Sequence, residues 1–526
     1  MRTNLARRIQ RCSIGTAFSL GACTLWAANT FDSATRTLNI DAVQFGGKTY
    51  AAVTALVNAY TVLGQGGTTI GINSYDGSTN VLRLGSIGVG GAIYQNVSVR
   101  LDSISLQSAT NVDGDTAAQF NITQSITDVA QSTTMAFSGL ALMTGNLSAQ
   151  SFFPPGKVAD YTGFQYLRDN DPDNMGHNTS FLTRVANNII YILTDSQLSQ
   201  LAALATAQQT QVDNYGYQRY SLMQAFRRLI DGNIPSTSSG LNLNAVKKAS
   251  RELYLIDGQI SYDRAVLYAS IINSLTPAQK SYIAAMKGKG WNSWPNITDA
   301  QVATKLAALP QGSKVAVMTY ASDIYSWYAG SLVADVYFCP ERHGTYYGGF
   351  YIKDAPAVGH EGYSIDEQMT ATAGAALVDS SKGYVTAAQA STMYALVATQ
   401  KDNMNAIVAV RTRIAALLRS LLDPATNAAA VKTQVLSLSA TYGELDGANN
   451  HAYATTFAQV YKTLSADQKT KLATLRKSMM SGKYADGTVF DFSVSTTPFL
   501  YSAVVTAAQI APYISDAATN PLFFEP

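Results

Sequence analysis

Charge is scarce in this chain. Of 526 residues only 14% are Asp, Glu, Lys or Arg, and the formal net charge is +2. That leaves no basic field to hold a nucleic acid and no acidic tail. Cysteine is scarcer still: Cys12, Cys23 and Cys339 are the only three. The first two fall in an N-terminal leader-like stretch, so a disulfide framework is excluded and Cys339 is a lone thiol. Beyond that stretch no apolar run is long enough to cross a bilayer. Missing too are Gly-x-Ser-x-Gly, Gly-x-Gly-x-x-Gly after a strand, and Cys-x-x-Cys-His, so the chain carries no nucleophile elbow, dinucleotide fingerprint or haem attachment motif. The reading leans away from an enzyme on these grounds and assigns no catalytic residue.

What is present begins with Arg2, Arg7, Arg8 and Arg11 ahead of an apolar stretch from Ile14 to Ala28, the charge-then-hydrophobe order of an export signal. Two endings fit. Leu20-Gly21-Ala22-Cys23 resembles a lipobox, in which Cys23 is lipidated, and ordinary cleavage around Ala27 or Ala28 is the alternative. Either way the expected location is the periplasm, the outer membrane or the cell surface, with no transmembrane span after signal removal.

The rest of the chain is dominated by repetition. Helix starts LTDSQ (Leu193–Gln197) and LTPAQ (Leu275–Gln279) recur as VTAAQ (Val385–Gln389) and LSADQ (Leu464–Gln468). Arg219 answers to Arg411 and Gln208 to Gln400 at one offset; Asp257 answers to Asp446 and Gly258 to Gly447 at a slightly smaller one. Apolar stripes with alternating steps of three and four run from Leu198 to Leu229 and from Ala390 to Leu421, the pattern of helices packed in a bundle. An aromatic Gly/Pro segment precedes each copy, around Phe153-Pro154-Pro155 and Phe338-Cys339-Pro340. A smaller repeat sits upstream: Phe31-Asp32 and Gly46-Gly47 are echoed by Tyr75-Asp76 and Gly90-Gly91 among alternating apolar residues, which predicts two β-hairpins.

The four LTxxQ-like starts resemble the Spy and CpxP family of periplasmic helical proteins over about residues 193–288 and 385–480. That resemblance implies helical hairpins and a chaperone or envelope-stress role. The same string is also a capping box, with Thr as N-cap and Gln three residues on.

Several constellations could carry chemistry. Arg219 and Arg411 fall on the apolar stripes, where a buried charge needs a partner; we pair Arg219 with Asp257 and Arg411 with Asp446. These pairs are either pins that set helix register or the lining of a groove for an anion. Asp169, Asp171, Asp173 and His177 alternate as in a calcium loop, without the glycine and glutamate of an EF-hand. Cys339, His343 and His360 have the chemistry of a zinc or copper site in a spacing that matches no closed pattern. The aromatic groups Trp291 with Trp294, Tyr325 with Trp327 and Tyr328, and Tyr346 with Tyr347 are either a ligand platform or packing between helices and loops.

The expected fold is mainly α: two tandem pseudo-symmetric helical-bundle units with aromatic Gly/Pro-rich loops, plus a small N-terminal β-hairpin domain. The divisions are an export signal at 1–28, the β-hairpin repeat at 29–106, a linker at 107–150, helical units at 151–310 and 311–484, and an irregular tail at 485–526. The expected function is a non-enzymatic cell-envelope binding protein, chaperone-like by the LTxxQ resemblance, with a protein or peptide partner. The alternatives are a metal-binding protein or metal-dependent enzyme using Ca²⁺ or a transition metal, and a surface adhesion or assembly component.

Overall fold

The computed structural model describes residues 29–45, 48–77, 79–111, 128–144, 161–162, 179–310, 313–329, 376–479 and 507–524. Helix dominates, as the periodicity predicts, but the N-terminal domain corrects the expectation of a small β-hairpin domain. Its strands are β1 (Thr30–Asp32), β2 (Thr37–Phe45), β3 (Lys48–Gly64), β4 (Ser74–Asp76), β5 (Val81–Val89) and β6 (Ala92–Asn111). They form a closed five-strand barrel with one extra strand. Closure comes from two parallel pairings, β1 on β5 and β4 on β2. Both join strands far apart in sequence, which local alternation does not encode.

The barrel is a folded duplication. At the offset that relates Phe31 to Tyr75, Asn29 is the counterpart of Asn73, and the two asparagines do the same work from opposite halves. Asn29 Nδ2 donates to the Ser86 carbonyl (2.8 Å) while its Oδ1 accepts from Asp41 N (3.1 Å). Asn73 Nδ2 donates to the Ala42 carbonyl (2.8 Å) while its Oδ1 accepts from Gly85 N (3.0 Å). Even the left-handed residues recur: Arg36 with Asn80, and Ala52 with Asn96. Gly90-Gly91 turn β5 into β6 with φ of 57° and 85°, the positive values a two-residue hairpin turn requires. Leu38, Ile40, Leu82 and Leu84 fill the interior.

The helical body contains α1 (Asp128–Thr144), α2 (Thr179–Ile192), α3 (Asp195–Asp231), α4 (Leu243–Ser274), α5 (Pro277–Met286), α6 (Asp299–Ala307) and α7 (Lys314–Ala329). It continues with α8 (Ala387–Tyr394), α9 (Leu396–Ser420), α10 (Ala428–Thr463), α11 (Ala466–Met479), α12 (Ala507–Ile514) and α13 (Asp516–Phe523). Every position of both predicted stripes is buried. All four LTxxQ-like strings are capping boxes. Gln197 N, for example, donates to Thr194 Oγ1 (3.2 Å) and Thr194 N donates back to Gln197 Oε1 (2.9 Å). The glutamines also clamp the two helix starts of a copy together: Gln279 Nε2 donates to Gln197 Oε1, and Gln468 Nε2 to Gln389 Oε1, each at 2.9 Å. A fifth box opens α6 at Thr298 and Gln301, in the string Ile297-Thr298-Asp299-Ala300-Gln301.

Each bundle is closed by a helix that, in sequence, leads into a repeat copy. α7 stands ahead of the second copy's aromatic segment yet packs on α2, α3, α4 and α5 of the first; α1 stands ahead of the first copy's segment yet packs on α8, α9, α10 and α11 of the second. Two equivalent stripe glutamines bind these closing helices. Tyr320 of α7 donates to Gln208 Oε1 (3.1 Å), and Gln400 Nε2 donates to Gln131 Oε1 of α1 (2.7 Å). The span expected as a linker thus holds the end of β6 and all of α1, and the expected irregular tail holds α12 and α13. Arg228 pins that tail to α3 through Asn520 Oδ1 (2.7 Å) and the Phe524 ring (5.0 Å).

The copies meet where α4 lies antiparallel on α10. A Cβ on Gly258 would lie 2.3 Å from Ser439 Oγ and 2.7 Å from its Cβ, and one on Gly447 would lie 2.8 Å from Ser250 Cβ. Ser250 and Ser439 are themselves counterparts, so the two contacts are images of each other. Alanine at an open helical glycine stabilises by roughly 1 kcal/mol. Here the sign inverts: Gly258→Ala and Gly447→Ala should each destabilise by about 1–3 kcal/mol through overpacking, read from urea midpoints, and a stabilised variant would show that the helices do not approach this closely.

Candidate functional site

Arg219, Asp257, Arg411 and Asp446 are all buried, the arginines at 3% and 4% exposure. They belong to one cluster that crosses between the copies. Tyr254 of α4 donates to Asp446 Oδ2 of α10 (2.9 Å), its ring 4.7 Å from that of Tyr442. Arg219 lies over the Tyr220 ring at 5.2 Å. Burial holds its guanidinium below its usual pKa, while Tyr220 and Tyr215 act the other way. Burial is also the main cause of the raised hydroxyls of Tyr161, Tyr268 and Tyr442; Asp257 adds to it at Tyr161, Asp323 at Tyr268, and Tyr161 and then Asp446 at Tyr442, while Arg411 opposes it at Tyr161 and Tyr442. The proposed pairings of Arg219 with Asp257 and of Arg411 with Asp446 sit inside this cluster.

The metal candidates Asp169, Asp171, Asp173, His177, Cys339, His343 and His360 lie outside the described residues, as do Cys23, Tyr346 and Tyr347. Among the described residues no group of three or more His, Cys, Asp or Glu is placed to hold a metal ion, and no helix is long and apolar enough to cross a membrane. The remaining aromatic groups serve largely as packing. Trp294 is buried edge-on to Tyr325 at 5.3 Å with Nε1 donating to the Met286 carbonyl (3.0 Å), and Trp327 is buried edge-on to Tyr268.

A surface shaped for a ligand occurs on the barrel instead. One end of its interior, a cavity of about 100 Å³, is closed by α9 through Ala409, Thr412 and Arg413. The other end opens into a cavity of about 230 Å³ with Tyr60, Val62, Val89 and Tyr94 in its walls, where Gln65 and the two phenol hydroxyls are the polar side-chain groups. That exceeds the ~150 Å³ apolar cavity that accepts benzene. Tyr60, Val62, Leu63, Ile93 and Tyr94, all exposed, come from the strands at this end. β3 projects here past the last residue that pairs with β2, Leu56. Its extension, residues 57–64, keeps β6 as its one partner strand among the described residues.

No family model, curated protein or solved structure matches this chain. The site is therefore judged on its geometry. The motif search passed over the mouth because its residues carry no charge, thiol or imidazole. A usable signal was present: Ala59, Tyr60, Val62 and Leu63 put apolar groups on both faces of one strand, which a strand with one face in water does not do.

Two outcomes follow from the buried cluster. Tyr254→Phe, which removes a hydrogen bond to a carboxylate, should cost about 1.5–3 kcal/mol by urea unfolding; an unchanged midpoint would dissolve the link between the copies. Above pH ~10 the unfolded chain releases tyrosine protons that the folded chain retains, so stability falls as pH rises, by up to about 1.4 kcal/mol per pH unit for each such residue. Unfolding midpoints between about pH 9.5 and 11 should slope downward, less steeply in Tyr442→Phe.

Proposed function

We propose that this is a non-enzymatic binding protein of the cell envelope whose working surface is the open end of the barrel, with the paired helical bundles as its rigid support. The observation that carries this is the uncovered apolar mouth: Val62 is 57% exposed at the rim of a cavity lined mainly by apolar side chains. Contiguous exposed apolar surface on a folded chain marks an interaction site. The export-type N-terminus supports the envelope location, and the capping boxes keep the chaperone-like role by LTxxQ resemblance within the proposal. That resemblance concerns helix starts, however, whereas the apolar surface lies on the barrel.

The chain from residue 29 should suppress aggregation of a chemically unfolded client and enhance the fluorescence of an apolar dye. Val62→Asp, at an exposed rim position, should reduce both at least fivefold with an unchanged circular dichroism spectrum. Equal activity in the variant would move the binding surface elsewhere.

A further inference from the structure

The barrel interior is one tube with a partition across it. Leu38, Leu82 and Leu101 line both the covered cavity of about 100 Å³ and the open one of about 230 Å³, so their side chains are the floor of one and the ceiling of the other. All three are buried. On the covered side Ala409, Thr412 and Arg413 of α9 close the tube. On the open side strand residues and Gln65 alone line it.

Polarity is graded along the open cavity. Its deep wall is aliphatic, with Val57, Leu84 and Val97 all buried. Its polar side-chain groups, the Gln65 amide and the Tyr60 and Tyr94 hydroxyls, belong to exposed residues at the mouth. None of the lining residues carries a charge. A water held in a protein interior needs two to four polar partners, and the deep wall offers no side chain that could serve. The depth of the tube therefore suits an apolar chain. The mouth suits a head that hydrogen-bonds without charge, because a carboxylate there would lose hydration with no cation in the lining to replace it.

Volume sets the length of such a chain. Benzene in a cavity of ~150 Å³ has roughly 25 Å³ per carbon. On that scale the open cavity of about 230 Å³ takes about nine carbons, and the covered cavity behind the partition would add about four.

We infer that the open end of the barrel binds a medium-chain amphiphile with an uncharged hydroxyl head, its chain reaching down to the partition of Leu38, Leu82 and Leu101 and its head at Gln65, Tyr60 and Tyr94. This rests on the binding reading above and names the ligand class. The tube is a gauge of chain length, and the three leucines are its stop.

The probes are the n-alcohols from hexanol to dodecanol and the carboxylates of matching length, titrated calorimetrically into the whole chain from residue 29 at about pH 8, where the carboxylates are ionised. One alcohol should bind per chain, tightening roughly fourfold for each added methylene up to about nine carbons and less than twofold thereafter. Each carboxylate should bind at least tenfold more weakly than its alcohol. Leu82→Ala, which opens the partition, should carry the rise on to dodecanol, whereas Val97→Phe, which projects a ring into the tube and leaves the partition intact, should bring the break below octanol. If Leu82→Ala does not fold, the Val97→Phe shift decides alone. Several alcohols per chain with no break would be adsorption to the exposed rim and would overturn the inference, as would a break that Val97→Phe leaves in place or a carboxylate that binds as tightly as its alcohol. If no alcohol binds while Val62→Asp still abolishes client and dye binding, the cavity is not a ligand site and the binding face stands; if Val62→Asp affects nothing and no alcohol binds, both readings fall.

Discussion

The close crossing of α4 on α10 is the contact on which the helical body depends. Two long helices come together there at glycine about a local twofold axis: Gly258 meets Ser439 and Gly447 meets Ser250, two contacts that are images of each other. On such an axis a residue faces its own counterpart, and two tyrosines would collide. The chain resolves this with an unlike pair: Tyr254 faces Gly443, where a Cβ would lie 2.9 Å from the tyrosine's own. Tyr254 then has room to reach Asp446. One close approach thus brings buried carboxylates, arginines and phenols of both copies into a common low-dielectric cluster, where each group must be satisfied by its neighbours.

The exchange of closing helices follows from the same duplication. α1 completes the second bundle and α7 the first, so each bundle's core includes a helix set apart from it by the repeat order. Short polar clamps, Gln208 with Tyr320 and Gln400 with Gln131, fix these helices in depth, because a buried amide without partners costs more than its packing returns. The barrel repeats the principle at smaller scale, with Asn29 and Asn73 each satisfying backbone groups in both halves. Its two ends would be equivalent were it not for α9, which covers one of them. The apolar mouth is what remains when an internally symmetric barrel is joined to a single helical surface.

Much of the helical body was legible in order. Capping boxes are local, since Thr and Gln three residues apart satisfy the first free backbone groups of a helix, so the four strings located α3, α5, α8 and α11 directly. The box at Ile297–Gln301 uses the same chemistry and was passed over because it lies outside the twofold pattern. The stripes were legible for an equally local reason, including the polar positions Gln208, Arg219, Gln400 and Arg411. The partners of the two glutamines were not, since Tyr320 and Gln131 reach them across elements remote in sequence. For the candidate site the sequence showed only the uncharged, two-faced strand around Tyr60 and Val62; that it rims a cavity depended on closure.

By itself the sequence determined the duplications, the helix starts and the buried faces, because hydrogen bonds three residues apart and a period of 3.6 are properties of short segments. Only the tertiary structure decided that the strands close into a barrel, that α1 and α7 trade places, and that one barrel end is covered while its twin is open. Those outcomes turn on parallel strand pairing, on where two glycines let helices meet, and on there being one α9 for two equivalent surfaces.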